Sequence, residues 1–232
     1  SLCYLADEHL INSIMYINEA LNYFQTNFKF KRVIECYIVL GVSYMKTYLY
    51  EKAYETYMLA LKLAEELNIS NYKELLYHNI GALNALTHSK DSIKYFKMSL
   101  DYTEDPIKKL ESIFCIMKEY SKDTDWKNAE EWSNMGLKLI GKTENKGITQ
   151  NYYHHFNIYH SISTKGYIPE DEGRAAIKFF EDAREYKYCI RYSNLMGKHF
   201  FEQGKYKLAA SYFEDANNYI LKEKRINYWE DL

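Results

Sequence analysis

Histidines, cysteines and paired carboxylates are the side chains from which catalytic and metal centres are built, and their spacing tests each possibility. His154, His155 and His160 lie close together, but a helical metal pair needs ligands at i and i+4, and none of their separations supplies it. Cys3, Cys36, Cys115 and Cys189 are scattered, with no C-x-x-C pair, and read as buried free thiols in a reducing compartment. The sequence contains no Gly-rich phosphate loop, no G-x-S-x-G and no H-E-x-x-H. Glu65-Glu66 and Glu130-Glu131 read as solvated helix faces. The sequence therefore predicts no enzyme, no metal site and no cofactor. The chemistry that remains is non-covalent recognition by amides, cations and an unusual number of tyrosines, 25 in all. A tyrosine joins a large apolar ring to a polar tip, which suits both seams between helices and peptide-binding surfaces.

Composition narrows the class of element that must position these groups. The chain has 232 residues, 47% hydrophobic and 27% charged, enough to bury a core without disulfide staples. Thirty Lys and Arg against 32 Asp and Glu leave a net charge of −2, which argues against this stretch being the main nucleic-acid or membrane-surface element. Nine glycines and two prolines are too few breakers for a sandwich or barrel full of tight turns. No apolar run reaches the ~18 residues of a membrane span. The expected protein is helical, soluble and cytoplasmic.

The helices repeat. Tyr37-x-x-Leu40-Gly41-x-x-Tyr44 is followed by Ala53-x-x-x-Tyr57-x-x-Ala60. Tyr77-x-x-Ile80-Gly81-x-x-Asn84 is followed by Ser92-x-x-x-Phe96-x-x-Ser99, and Ile113-x-x-Ile116-Met117-x-x-Tyr120 by Ala129-x-x-x-Ser133-x-x-Gly136. Met196-Gly197-x-x-Phe200 pairs with Ala209-x-x-x-Phe213-x-x-Ala216, while Ala176-x-x-x-Phe180-x-x-Ala183 and Ser13-x-x-x-Ile17-x-x-Ala20 lack a clean first half. Small residues let two antiparallel helices approach closely, and the large ones fill the space beside them. This pattern resembles the tetratricopeptide repeat, with Tyr in place of its Trp. The resemblance implies an all-α, right-handed superhelical solenoid of helical hairpins, one domain over residues 1–232. Its repeats fall at approximately 1–29, 30–69, 70–104, 105–145, 146–186 and 187–221. The second-helix anchors are 33 to 47 residues apart, mostly longer than the ~34 of the strict repeat. The largest insertion surrounds Gly141 to Gly147.

Boundary residues agree. Asp105-Pro106 predicts a cap followed by proline at the first helical position, and Pro169 a loop ahead of another closing helix. Counting back from Ser13 puts Ser1 inside a first helix, so the chain reads as a C-terminal fragment; a lone capping helix from Ala6 to Gln25 is the other reading. The final helix, expected from Leu208 to Leu221, carries Tyr212, Phe213, Tyr219 and Ile220, with Tyr228 and Trp229 beyond, an apolar end that predicts a homodimer.

A finer resemblance rests on the second helix Tyr50-Glu-Lys-Ala-Tyr-Glu-Thr-Tyr-Met-Leu-Ala-Leu-Lys-Leu-Ala-Glu-Glu-Leu and on Tyr77-His-Asn-Ile-Gly. These are similar to the Rap/NprR/PlcR-type quorum-sensing regulators of Gram-positive bacteria. The resemblance implies a sensor that binds a short signalling peptide on its concave face. It also implies contact with nucleic acid only through a domain ahead of Ser1, no membrane, and a peptide-driven change in superhelix and dimer geometry. A plain repeat scaffold or adaptor is the alternative. Adaptors that grip a C-terminal carboxylate need cations and amides where Ile38, Val42, His78 and Ala82 stand here.

In such repeats the first helices line the groove, and residues within a turn of the buried Leu-Gly pair face it. The expected lining is Ile38, Val42, Met45 and Lys46, then His78, Asn79 and Ala82, then Glu111, Phe114 and Lys118. Asn157 and His154 are expected inward on a first helix placed at Tyr152 to Ser163, and Arg191, Asn194 and Lys198 on the last one. The predicted peptide-binding residues are Met45, Lys46, His78, Asn79, Phe114, Lys118, Asn157, Arg191, Asn194 and Lys198. An amide both donates and accepts, so Asn79 can pair with a peptide main chain of any sequence, which is the role the resemblance implies for it. Val39, Cys115 and Leu195 stand at its equivalents, so the sequence holds no full asparagine ladder.

Overall fold

A ring seated against a glycine is the contact from which each hairpin is built, and the computed structural model contains several. It describes the backbone of residues 2–143 and 146–230 and the side chains of 10–70, 72–143, 147 and 149–224. Ser1, residues 144–145 of the predicted insertion, and the side chains of Tyr228 and Trp229 lie outside what is described. Among the described residues the secondary structure is helical throughout, with no strand. No helix among them is long and apolar enough to cross a membrane.

The chain divides into two compact units, Ser1–Glu119 and Tyr120–Leu232. In the first are α1 (Leu2–Thr26), α2 (Phe30–Lys46), α3 (Tyr50–Glu66), a 3-10 turn (Ser70–Tyr72), α4 (Lys73–Leu86), α5 (Ser92–Leu100) and most of α6 (Pro106–Lys122). In the second are α7 (Trp126–Gly141), α8 (Lys146–Lys165), α9 (Glu170–Asp182), α10 (Tyr186–Glu202) and α11 (Tyr206–Glu230). Each of α2/α3, α4/α5 and α10/α11 is a hairpin of a first helix and a closing helix.

Local chemistry sets the ends. Asp105 accepts a hydrogen bond from the Ile107 amide at 2.8 Å, and Pro106 opens α6 without needing a donor of its own. Asp125 caps α7 through the Asn128 amide at 3.2 Å. Two residues past the end of α2, Tyr48 takes a left-handed φ of 60°; this lets the Leu49 amide reach back to the Tyr44 carbonyl at 2.9 Å. The first helix of the 146–186 region is longer than the expected Tyr152–Ser163, running from Lys146 to Lys165.

Packing follows the small-large pattern. Tyr57, Phe96 and Phe180 are 0–1% exposed, and each buried ring contributes roughly 1.5–3 kcal/mol. Gly41 faces the Tyr57 ring, Gly81 the Phe96 ring and Gly197 the Phe213 ring. The core of the second unit gathers Phe180, Cys189, Tyr192 and Met196. His155 is buried there too, hydrogen-bonded to Tyr192 and stacked on Phe180 with centroids 4.7 Å apart. Tyr212 and Tyr219, read from the sequence as part of an outward apolar end, are 4% and 8% exposed and belong to this core. Their burial corrects the surface from which the homodimer was argued.

A methyl group placed on Gly81 would lie 2.8 Å from the Phe96 ring, whereas one on Gly141 would meet nothing within 4 Å. Gly81→Ala should lower stability by ~1–3 kcal/mol by overpacking this contact. Gly141→Ala, near the end of α7, should leave stability unchanged or raised. Urea unfolding of the two variants checks the pair, and equal midpoints would mean that the ring does not set the helix spacing.

Candidate functional site

On the first helices of the first unit, a stripe of side chains stays out of the hairpin cores. On α2 it is Glu35, Val39, Val42 and Lys46, at the 3- and 4-residue steps of one helix face. On α4 it is Leu75, His78, Asn79, Ala82 and Leu86, and on α6 Glu111, Phe114, Cys115 and Lys118. Lys46, His78, Asn79, Phe114 and Lys118, all predicted peptide contacts, fall on this face. Ile38 does not. It is 8% exposed and joins the core with Ile34, four residues earlier on the same stripe. Met45 turns toward the hairpin, where its sulfur accepts a hydrogen bond from the Tyr57 hydroxyl at 3.3 Å.

Polar bridges tie successive first helices together. The Tyr72 hydroxyl donates to Glu35 at 2.7 Å, and Arg32 donates to the same carboxylate at 2.6 Å. Both bonds favour the charged form, and together they hold the Glu35 carboxyl below its ordinary pKa. Lys108 on α6 donates at 2.5 Å to Glu74 on α4, whose carboxylate is buried. His78 Nδ1 lies 3.1 Å from the Ser112 hydroxyl, and its Nε2 lies 3.5 Å from Glu111. Burial pushes the His78 pKa down, partly opposed by Glu111 and Glu74.

Asn79 follows His78 on α4. It is half-buried and has no side-chain hydrogen bond among the described residues, so its donor and acceptor both stay available. Lys118 lies over the Phe114 ring, its Nζ 5.8 Å from the centroid. Beside α2, an apolar groove of about 620 Å³ runs between α1 and α2, lined by Tyr16, Ile17, Phe24, Cys36 and Val39, with Arg32 and Glu35 among its polar residues.

In the second unit the predicted residues lie on α8 and α10. Arg191 is exposed and stands over the Tyr159 ring at 5.4 Å, joining these two first helices. Asn194 and Lys198 are exposed, and Lys198 pairs with Glu202 at 3.9 Å. Asn157 is half-buried on α8. His154, expected inward, packs instead on Phe179 of the closing helix α9, with centroids 4.6 Å apart.

Comparison with known proteins supplies what this geometry alone does not. No protein-family model matches the sequence. The transcriptional activator NprA of Geobacillus stearothermophilus is 27% identical over 221 residues, 91% of this chain and 54% of that protein. The apo structure of RapI superposes with a TM-score of 0.73 at 19% identity, covering 96% of this chain and 62% of RapI. The Rap conjugation gene regulator of plasmid pLS20, solved in complex with the Phr* peptide, superposes with a TM-score of 0.70 at 16% identity, covering 96% and 60%. The chain resembles the Rap/NprR quorum-sensing regulators. Its fold is theirs, an all-α array of tetratricopeptide-like hairpins. It spans about half the length of NprA and somewhat more of the two solved Rap chains.

Glu35, Ser112 and Lys108 were not predicted as site residues, and Glu111, expected in the groove lining, was not counted among the peptide contacts. Glu35 and Glu111 each stand two positions ahead of a motif residue, Tyr37 and Ile113, and that shared register was the available signal. Ser112 and Lys108 carry no such signal, because their roles depend on which residue of α4 they meet.

Burial holds both His78 and His154 below the ordinary histidine pKa. The unfolded chain takes up these protons near pH 6.5, and the folded chain only at lower pH. Their contribution to stability is therefore complete above ~6.5 and is lost as pH falls toward the folded values. Stability should fall between about pH 7 and pH 5, and His154→Phe should flatten that slope. Urea midpoints across this range check it, and an unchanged slope in the variant would refute the assignment.

Proposed function

We propose that this chain is the peptide-sensing module of a bacterial transcriptional regulator of the quorum-sensing type, acting by binding and not by catalysis. The observation that carries this reading is Asn79. Its side-chain amide can both donate and accept, it lies on the first-helix face of α4 directly after His78, and it has no hydrogen-bond partner among the described residues. The same fold occurs in a Rap regulator described in complex with a Phr* peptide. A short extended peptide would lie across the first helices, each ~10 Å wide with its side chains. Val42, Ala82 and Phe114 would take apolar side chains, Asn79 the main chain, and Lys46 and Lys118 an acidic group or the terminal carboxylate. In the second unit Asn157, Asn194, Arg191 and Lys198 would supply the same chemistry.

Peptide binding would favour one spacing of the hairpins over another and so bias how two protomers pair, by the difference in affinity between the two states. The homodimer and contact with nucleic acid, through sequence outside these 232 residues, belong to this proposal.

The test is a calorimetric titration with a synthetic library of hexapeptides. Binding should weaken in Asn79→Ala by ~0.5–1.5 kcal/mol, up to about tenfold, if one neutral hydrogen bond is lost. Lys118→Glu should weaken it further and make it salt-sensitive. A library without a single binder would sink the proposal.

A further inference from the structure

Between the start of α3 and the end of α4 lies a cavity of about 390 Å³, lined by Tyr50, Glu51, Tyr54, Glu55, Asn84 and Thr87 over the buried Leu83. No residue of the first-helix stripe that carries Asn79 lines it. Its polar lining is rich in acceptors and holds no cation. Glu51 and Glu55 make no hydrogen bond or ion pair among the described residues. Thr87 spends its one hydroxyl hydrogen on the Leu83 or Asn84 carbonyl, at 3.1 and 3.3 Å, and can otherwise only accept. The Asn84 nitrogen donates to the Ile80 carbonyl at 2.8 Å, which leaves the amide oxygen to accept.

The two carboxylates repel each other. Glu51 and Glu55 stand at i and i+4 on α3, ~6 Å apart along the axis, where like charges are destabilising. Glu51 lies in the first turn and answers the positive end of the helix dipole, but Glu55, one turn further, has no such compensation. The nearby lysines do not relieve them: Lys52 lies over the Tyr44 ring and Lys94 over the Tyr95 ring. Tyr54 is held in place at the same pocket, its hydroxyl 3.4 Å from that of Tyr95, whose ring stacks on Tyr77. Two unpaired carboxylates beside a fixed aromatic ring fit a guanidinium. Its planar fork of N–H donors can bond both carboxylates, its charge is permanent, and its face can lie on the ring. An ammonium brings the charge without the plane.

We infer that α3 is a docking surface for a partner protein, which seats an arginine side chain between Glu51, Glu55 and the Tyr54 ring. The surroundings of the pocket select a protein over a free small cation. Leu49, Tyr54, Met58 and Leu59 are all exposed, gathered on this one helix and the turn before it. Clustered exposed apolar side chains mark a protein contact. Tyrosine and methionine are enriched in the cores of such contacts, and arginine is among the residues that carry most of their binding energy. The complementary partner face is apolar around a basic centre. This inference does not rest on the peptide-sensing reading, because docking here leaves the first-helix face of α4 uncovered.

The probe is N-acetyl-arginine methylamide, titrated into the isotope-labelled chain and followed by NMR, with N-acetyl-citrulline methylamide and putrescine as comparisons. One side chain makes few contacts, so millimolar affinity is expected. The arginine probe should give saturable shifts at the Asn84 side-chain amide and the Thr87 backbone amide. It should bind at least about tenfold more tightly than citrulline, as charge-assisted bonds require. The double variant Glu51→Gln, Glu55→Gln, two exposed changes, should abolish that margin, and Tyr54→Leu should weaken the arginine probe more than putrescine. N-acetyl-arginyl-leucine amide should bind more tightly than the single residue, and Met58→Ser should remove the gain, because the apolar surround belongs to the surface. Putrescine matching the arginine probe, a margin that survives the double variant, no gain from the leucine, or no saturable shift would each overturn the inference. An equal loss in Asn79→Ala would put the probe in the first-helix groove instead. Shifts at the same amides on concentrating the chain alone would put a second copy in the pocket, and would equally overturn it.

Discussion

The distance between the two helices of a hairpin is set where a ring packs directly against a residue with no side chain. Gly41 under Tyr57, Gly81 under Phe96 and Gly197 under Phe213 repeat that arrangement on different helices. A methyl group at any of them would press into the ring, so the first helix is held at one depth. Everything on the open side of that helix inherits its height from this contact. Asn79 and His78 stand two and three residues before Gly81, less than one turn away, so their placement is coupled to the tightest packing in the hairpin.

The same constraint explains the polarity of the interior. A closing helix that approaches this closely has room only for small residues at its other anchors, and here several are serines. Ser92 and Ser99 are 3% and 0% exposed at positions where alanine stands in α3 and α9, and Ser133, also fully buried, stands where those helices carry Tyr57 and Phe180. A buried hydroxyl costs stability unless it is hydrogen-bonded. Ser99 and Ser133 answer this by donating to carbonyls three residues back on their own helices. Ser92 instead reaches the Glu119 carboxylate at 3.5 Å. The repeat thus trades alanine's simplicity for hydroxyls that connect one hairpin to the next.

Gly41 with Tyr57 and Ala53 with Ala60 announced their hairpin in the sequence, because both halves of each contact follow fixed spacings along single helices. The cap at Asp105 was legible because it and Pro106 are adjacent in the chain. What the sequence obscured lies between repeats. His78 meets Ser112, and Glu74 meets Lys108, each pair 34 residues apart, and no periodicity within α4 or α6 selects those partners. Ile38 was misplaced because it lies one position from Tyr37, at the edge of the motif. Its true stripe is set by Ile34 and Gly41, four residues before and three after. Met45 was misplaced because a long flexible side chain near a helix end can follow either face, and the Tyr57 hydroxyl drew it inward.

These two levels meet in Ser99. As the last anchor of α5 it is fully buried, small enough for the helices to close. As a hydroxyl it donates to the Phe96 carbonyl and lies 2.7 Å from the Ser112 hydroxyl, which in turn lies 3.1 Å from His78. An alanine there would satisfy the packing equally well. It would also leave the Ser112 hydroxyl without this buried partner. The hydroxyls behind His78 are therefore linked to the same position that sets the helix spacing. Cohesion of the hairpin and the hydrogen bonds behind the first-helix face are two uses of one buried side chain.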